Sequence, residues 1–142
     1  MPKRIAVLVD TSTGWGRRVV RGVANYALRQ SGWQIKVEPR GINEQMFLPE
    51  GWQADGVIAR MSSKKLYDEL VAFGKPVVNV SGIELKGVNV PRVTSDYRAS
   101  AKLAVGHFAS RGFRHLAYCG PDKLSHVARH CAAFEKEAAE GG

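Results

Sequence analysis

An uninterrupted apolar run near the start of the chain limits the possible folds more than any other stretch. Residues 5–9 are all apolar, end at Asp10, and lead into a short polar loop that contains glycines. Apolar residues then recur with helical spacing over about residues 17–30. A fully apolar strand followed by a helix is typical of a parallel sheet covered on both faces. Ligands of such sheets bind just past the carboxyl ends of the strands, where Asp10 to Trp15 would lie.

The same alternation of strand and helix continues along the 142 residues. It predicts a doubly wound parallel α/β sheet with right-handed crossovers, forming one domain or half of a larger one. In the first helix the core-facing stripe is expected to be Val20, Val23, Ala24, Ala27 and Leu28. The predicted strands are 5–9, 34–38, 56–59, 77–80 and 115–119, with a short extended piece at 92–94. The predicted helices are 17–30, 64–73 (capped by Ser62 or Ser63), one capped by Ser95 or Asp96 and running to 111, and 124–139, with a short helix or loop at 42–53.

The charge balance is unusual, because 21 Lys and Arg residues face 13 Asp and Glu residues and give a formal net charge of +8. A basic surface favours acidic partners such as nucleic acid. The alternative is that the solvated helix faces are simply rich in Lys and Arg. Arg17, Arg18 and Arg21 cluster at the start of the first helix. No basic helix-turn-helix or RNA-binding aromatic motif is present, which argues against direct sequence reading by these residues.

The sequence also carries no sign of a membrane span or of export. No segment approaches the roughly 20 apolar residues of a membrane span, and the first ten residues lack the pattern of a signal peptide. We therefore expect a cytoplasmic chain with no membrane partner. Cys119 and Cys131 are expected to be buried free thiols rather than a disulfide. No His and Cys set has zinc-ligand spacing, and no cofactor is expected.

Polar side chains follow the predicted strands and should lie along one edge of the sheet. Such a set suits a polyol, because carboxylates accept hydroxyl hydrogen bonds, arginine donates several, and an aromatic ring such as Trp15 packs on the C–H face of a sugar. The alternative is that they cap helices and satisfy turns, which we favour for Ser62, Ser63 and Ser95. Asp96 can fill both roles. The full set is Asp10, Thr11, Ser12, Arg40, Arg60, Ser81, Ser95 and Asp96.

An enzyme of the same fold class is the main alternative, with Gly14 and Gly16 as a nucleotide- or phosphate-binding loop. The dinucleotide fingerprint requires a third glycine at position 19, which is Val19. A phospho-receiver domain requires an acidic pair after the first strand and an Asp after the third, whereas Asp10 stands alone and Arg60 follows the third strand. No nucleophilic or paired-carboxylate arrangement stands out, so no catalytic residue is assigned.

Four motifs in order give the chain a resemblance to a family. The segment RVTSDY at 92–97 and the segment FASRGFRHLAYCGP at 108–121 resemble the ligand-binding domains of lactose/galactose-repressor-type regulators. ADGVI at 54–58 matches the strand pattern of that family, and RRVVRGV at 17–23 resembles the xylose operon regulators within it. Arg60 and Tyr97 depart from the usual pattern.

The resemblance implies the N-terminal lobe of a type I periplasmic-binding-protein-like fold over residues 1–142. The second lobe and an AraC-type DNA-binding domain would lie outside this chain. It implies a small-molecule sugar effector, with xylose as the first candidate, DNA bound through the absent domain, lobe closure and a homodimer. By resemblance Asp96 matches a ligand-contacting Asp of the family, and Asp10, Thr11 and Trp15 match the loop that lines its pocket. Ser12 and Arg60 join them as strand-end residues. The expected ligand site is therefore Asp10, Thr11, Ser12, Trp15, Arg60 and Asp96.

Overall fold

The computed structural model describes residues 1–30, 32–121 and 123–141. The chain divides into two compact units. The first consists of Met1–Ser81 and Leu85–Val93, and the second of Gly82–Glu84 and Thr94–Gly142. Within the described residues the strands are β1 (Lys3–Leu8), β2 (Trp33–Val37), β3 (Gly56–Ala59) and β4 (Val77–Asn79). The helices are α1 (Gly14–Arg29), α2 (Lys64–Phe73), α3 (Tyr97–Ala109) and α4 (Ser125–Glu140).

The four strands form one parallel sheet in the order β2-β1-β3-β4, all within the first unit. Ile5 pairs with Ile35 on one side and with Gly56 on the other, so β1 lies between two neighbours. Beyond β4, Arg92 adds a single parallel bridge to Asn79, in the predicted extended piece. The α/β class predicted from the sequence is confirmed. Because all strands run the same way, their carboxyl ends share one edge.

The apolar run of β1 is buried because both faces of the sheet are covered. Ala6 and Leu8 belong to a cluster that includes Leu66 and Leu70 of α2. Ile5, Val7 and Val9 form a second cluster with partly buried side chains of α1 and β2. Successive residues of a strand point to opposite faces, so an unbroken apolar run fits a strand at the centre of a covered sheet.

The start of α1 is set by a cap and by a close approach. Thr13 Oγ1 accepts a hydrogen bond from the Gly16 amide at 2.9 Å and donates one to the Asp10 carbonyl at 3.1 Å. A Cβ at Gly16 would lie 1.7 Å from that carbonyl oxygen. The helix therefore begins at Gly14, three residues before the predicted start, and Gly14 to Gly16 lie in its first turn.

Hydrogen-bonded caps also fix the starts of α2 and α3. Ser63 accepts from the Leu66 amide, which settles the choice between the two serines. Asp96 accepts from the Ala99 amide at 2.9 Å, so it is the cap of α3 rather than Ser95. In the second unit α3 packs against α4, with Ala101 and Val105 buried.

The predicted strand at 115–119 is wrong, because this segment has no strand structure. Its side chains are exposed apart from half-buried Leu116. A strand requires a neighbour for its backbone N–H and C=O groups, and the ladder at β4 is continued by Arg92 instead. The segment at 42–53 contains turns and no helix.

Two predictions of burial also fail. Leu28 is 84% exposed, so it does not belong to the core stripe of α1. Both cysteines are free, as predicted, but Cys119 is exposed and Cys131 is only half-buried. Partial desolvation raises the pKa of the Cys131 thiol, which also donates to Glu135 at 3.5 Å. Among the described residues, no helix is long and apolar enough to cross a membrane.

Two glycines of α1 provide a matched pair of substitutions. We expect Gly16→Ala to destabilise the chain by more than about 2 kcal/mol, because the added methyl group would overlap backbone. Gly22→Ala should stabilise it by about 0.5–1 kcal/mol, because its Cβ would meet nothing within 4 Å and alanine favours the helix. Urea denaturation of both variants measures the difference. Equal effects would contradict the packing of α1 on the end of β1.

Asp55, the residue just before β3, accepts a hydrogen bond from the backbone of β1. We expect this bond to make the free energy of unfolding depend on pH. The Arg4 amide donates to Asp55 Oδ2 at 2.8 Å, and this bond, with the Arg4 charge, lowers the pKa of Asp55 below its ordinary value. Its contribution is therefore complete above the ordinary pKa and is lost as pH falls through the lowered one. Urea midpoints between about pH 5 and pH 2 should fall more steeply for the unmodified chain than for Asp55→Asn. The same pH dependence of the urea midpoint in both proteins would contradict this role of Asp55.

Candidate functional site

The polar residues of the first unit converge at the carboxyl edge of the sheet. The loop from Asp10 to Thr13 follows β1, Arg40 follows β2, Arg60 follows β3 and Ser81 follows β4. Shared strand direction brings them to one edge, as the sequence predicted. This edge is where an open parallel sheet binds ligands.

Asp10 is the buried acid of this edge. It is 2% exposed, and its Oδ2 lies 3.2 Å from Nε of Arg60. Arg60 is held in place because its amide donates to the Leu8 carbonyl at 2.8 Å, extending the β1–β3 ladder by one residue. The pair satisfies one carboxylate oxygen only. Asp10 Oδ1 is buried and has no hydrogen-bond partner among the described residues.

A buried acceptor without a partner is unusual and requires an explanation. Leaving such a group unpaired costs about 1–3 kcal/mol, and more if it is charged. Arg60, with its side chain 26% exposed, uses only Nε in its ion pair with Asp10. The remaining guanidinium N–H groups can therefore donate to a small polar molecule, and Asp10 Oδ1 can accept from it once its cover opens.

Hydrogen bonds hold the loop after β1 to the chain that follows β2. The amides of Thr11 and Ser12 donate to the Arg40 carbonyl at 3.0 and 3.3 Å, and the Arg40 amide donates to Thr11 Oγ1 at 3.0 Å. Arg17 of α1 donates to the carbonyls of Thr11 and Ser12. These bonds hold the loop in one conformation beside Asp10.

Arg40 is itself largely buried and was not among the six residues expected to bind the ligand. Its guanidinium lies 3.9 Å from the ring centroid of Phe47 and 3.5 Å from a Glu38 oxygen. A second carboxylate, Glu44, lies 3.9 Å away, while the Arg40 Nε is buried without a partner in the described part of the chain. The position of Arg40 at the end of a strand was the signal that could have placed it in the site.

Asn79 is the polar residue that the sequence reasoning missed. It is 4% exposed, and its Oδ1 accepts hydrogen bonds from the amides of Met61 and Ser81, at 3.2 and 2.8 Å. It thus ties together the chain after β3 and the chain after β4. Its position as the last residue of an otherwise apolar strand is the signal that marks it.

The structure assembles some of the expected site and leaves the rest apart. Asp10, Thr11, Ser12 and Arg60 meet at one edge of the first unit. Trp15 lies in the first turn of α1, where it packs half-buried against the Ile5, Val7 and Val9 cluster. Asp96 belongs to the second unit, is exposed, and caps α3. No group of three or more potential metal ligands occurs among the described residues.

The surroundings of Gly16 argue against the alternative of a nucleotide- or phosphate-binding enzyme. The Asp10 carbonyl fills the space where its Cβ would lie, so packing inside the β1–α1 connection accounts for this glycine. No phosphate is needed to explain it, and the third glycine of a dinucleotide site is absent.

Solved structures with this architecture define the class of the domain. Chains described as transcription regulator CcpA of Lactococcus lactis and as a LacI regulator from Bacillus cereus match 99% of this chain with TM-scores of 0.68 and 0.67, covering 54% of each. Their identities of 18% and 19% show the fold alone. The fold is that of the periplasmic-binding-protein-like domains of LacI- and PurR-type regulators.

The particular family follows from closer matches. A family model described as the XylR N-terminal domain matches residues 4–101, and the chain belongs to this family. The Xylose operon regulatory protein of Escherichia coli K12 is 29% identical over 121 residues, covering 82% of this chain and 31% of that protein. A structure described as xylose-binding transcription activator xylR matches 99% of this chain and 36% of its own, with 27% identity and a TM-score of 0.75. The chain spans about a third of the length of these relatives.

Removing Arg60 tests whether the ion pair is an integral part of this edge. We expect Arg60→Met to cost about 1–3 kcal/mol of unfolding free energy, because it leaves the Asp10 carboxylate buried without its partner. Adding Asp10→Asn should recover part of the loss, since a neutral amide is cheaper to bury.

The matched control is Lys64→Met, which breaks the exposed Lys64–Asp68 pair. It should change the unfolding free energy by less than about 1 kcal/mol in the same urea titration. An Arg60→Met loss no larger than that of the control would contradict the assignment.

Proposed function

We propose that this chain is a sugar-sensing module of a transcription regulator and that xylose is its effector. The observation that carries the proposal is Asp10, a buried carboxylate at the carboxyl edge of the sheet, with one oxygen on Arg60 and the other without a hydrogen-bond partner among the described residues. Membership of the XylR N-terminal domain family and the relatives named for xylose support it.

The chemistry of the edge suits a polyhydroxyl ligand. In this proposal a ligand hydroxyl donates to Asp10 Oδ1 and a neighbouring one accepts from the Arg60 guanidinium. Thr11 and Ser12 lie on the loop that Arg40 and Arg17 hold in place. By the family resemblance, Trp15 would pack its ring on the sugar and Asp96 would supply a further carboxylate.

The regulatory cycle then depends on parts beyond these residues. We propose that residues 1–142 belong to the N-terminal lobe. A second lobe would close on the sugar, which binds the closed state better and shifts the population toward it. In a cytoplasmic homodimer this closure would alter the spacing of C-terminal, AraC-type DNA-binding domains. We assign no catalytic role, because the named relatives are regulators and Gly16 is explained by packing.

Asp96 provides the sharpest test because its two roles can be separated. Asp96→Ser keeps an N-cap oxygen but removes the carboxylate, whereas Asp96→Ala removes both. In a protein that carries this chain together with a second lobe, both variants should bind xylose at least about tenfold more weakly by calorimetry. Only the alanine variant should also lose about 1 kcal/mol of stability.

A panel of xylose, arabinose and ribose in the same experiment determines the ligand. Preference for another pentose would overturn the assignment of xylose but keep the sensing role. No heat with any sugar, together with Asp96 variants that behave like the unmodified protein, would overturn the proposed function.

A further inference from the structure

The outer surface of α1 carries an unusual concentration of one charge. We define the basic α1 face as Arg17, Arg18, Arg21 and Arg29, all of them exposed. At 100° per residue these four side chains fall within about 120° of the helix circumference. The helix has no acidic residue, and Asn25 lies between the arginines while Gly22 lies at their edge.

None of these arginines forms an ion pair with a carboxylate among the described residues. Arg17 donates to two loop carbonyls, which leaves its charge uncompensated. The helices α2 and α4 are different, because Lys64 pairs with Asp68 on α2 and Lys136 with Glu140 on α4. The lack of compensation is thus a property of α1.

Helix stability does not account for this pattern. The N-terminus of a helix carries a partial positive charge, so a cation in the first turn is unfavourable by about 0.3–1 kcal/mol, and the effect falls off beyond that turn. Arg17, Arg18 and Arg21 lie in the first two turns of α1, and its first turn has no acidic residue. Arg17 and Arg18, at the end of the first turn, therefore gain nothing from the charge of their helix terminus, whereas Arg29, in the last turn, is stabilised by it.

The charge of the chain is concentrated in the unit that carries this face. The first unit contains 14 Lys and Arg residues and 7 Asp and Glu residues, whereas the second contains 7 and 6. Nearly all of the net positive charge therefore lies in the sheet-containing unit. A polyanion approaching the chain would be steered toward that unit.

We propose that the basic α1 face binds the phosphate backbone of DNA without reading its sequence. From Arg17 to Arg29 the helix rises about 18 Å, a length over which a DNA strand presents about five phosphates. Guanidinium groups match phosphate oxygens with paired hydrogen bonds. At the edge of the face, a Cβ added to Gly22 would meet nothing within 4 Å, so a backbone can approach closely. This contact is separate from recognition through another domain and from the sugar site.

DNA fits this face better than an acidic protein surface does. A stable protein interface has an apolar or aromatic centre with charges at its rim. Here arginines and an asparagine occupy the centre; the exposed Leu28 falls within the same arc but at its C-terminal end, and Tyr26 lies outside the arc. Phosphate contacts need no apolar centre.

The test is fluorescence anisotropy of a labelled duplex of arbitrary sequence, titrated with the 142-residue chain at several salt concentrations. Arg18→Gln/Arg21→Gln should reduce the slope of log K against log salt by about two, because each phosphate contact contributes about 0.9. The control, Lys64→Gln/Lys65→Gln, removes the same charge from α2 of the same unit and should leave the slope nearly unchanged.

Three results would overturn the proposal. One is no binding at about 20 mM salt, where phosphate contacts are strongest. Another is an equal loss of slope in the two double variants, which would reflect net charge alone. The third is binding of polyglutamate as tight as that of the duplex, which would assign the face to an acidic protein. Far-UV circular dichroism of each variant verifies that the helices are intact.

Discussion

The candidate site is organised around one close contact, the approach of the Gly16 backbone to the Asp10 carbonyl. It allows α1 to begin directly against the end of β1, with Thr13 bonded to both sides of the junction. That junction holds the Asp10 side chain under cover beside Arg60. A side chain at position 16 would push α1 away and open the buried end of the strand. The packing of α1 against the end of β1 therefore also determines the position of Asp10 at the carboxyl edge.

Much of the fold could be predicted because its signals are local. β3 and α2 match their predicted bounds, since a short apolar strand and a serine-capped amphipathic helix are bounded by turn residues. The segment at 115–119 has strand-like composition, but composition cannot supply a neighbouring strand. Leu28 fits the helical period of α1 yet lies beyond the cover of the sheet. Both errors concern tertiary partners that a single sequence does not show.

The candidate site, like the fold, could be predicted only in part. Strand direction placed Asp10 and Arg60 at one edge, but only the structure shows that they pair and that Asp10 Oδ1 is left over. Asn79 was missed because an amide at the end of an apolar strand has no chemical signature until its two amide donors are seen. Trp15 was expected in a loop, but the helix starts earlier and packs its side chain against β1 residues. Charge, in contrast, was visible from the sequence, whereas its concentration in one unit was not.

If the carboxyl edge around Asp10 holds a sugar, the isolated chain should still register that sugar weakly. The decisive measurement is the set of amide chemical shifts of the 142-residue chain during a titration with xylose, because they report weak binding residue by residue. A sugar site at this edge predicts saturable shifts at Thr11, Ser12 and Met61, with none caused by sucrose at equal concentration. Saturable shifts confined to other parts of the chain, or no shifts with xylose at any concentration, would contradict it.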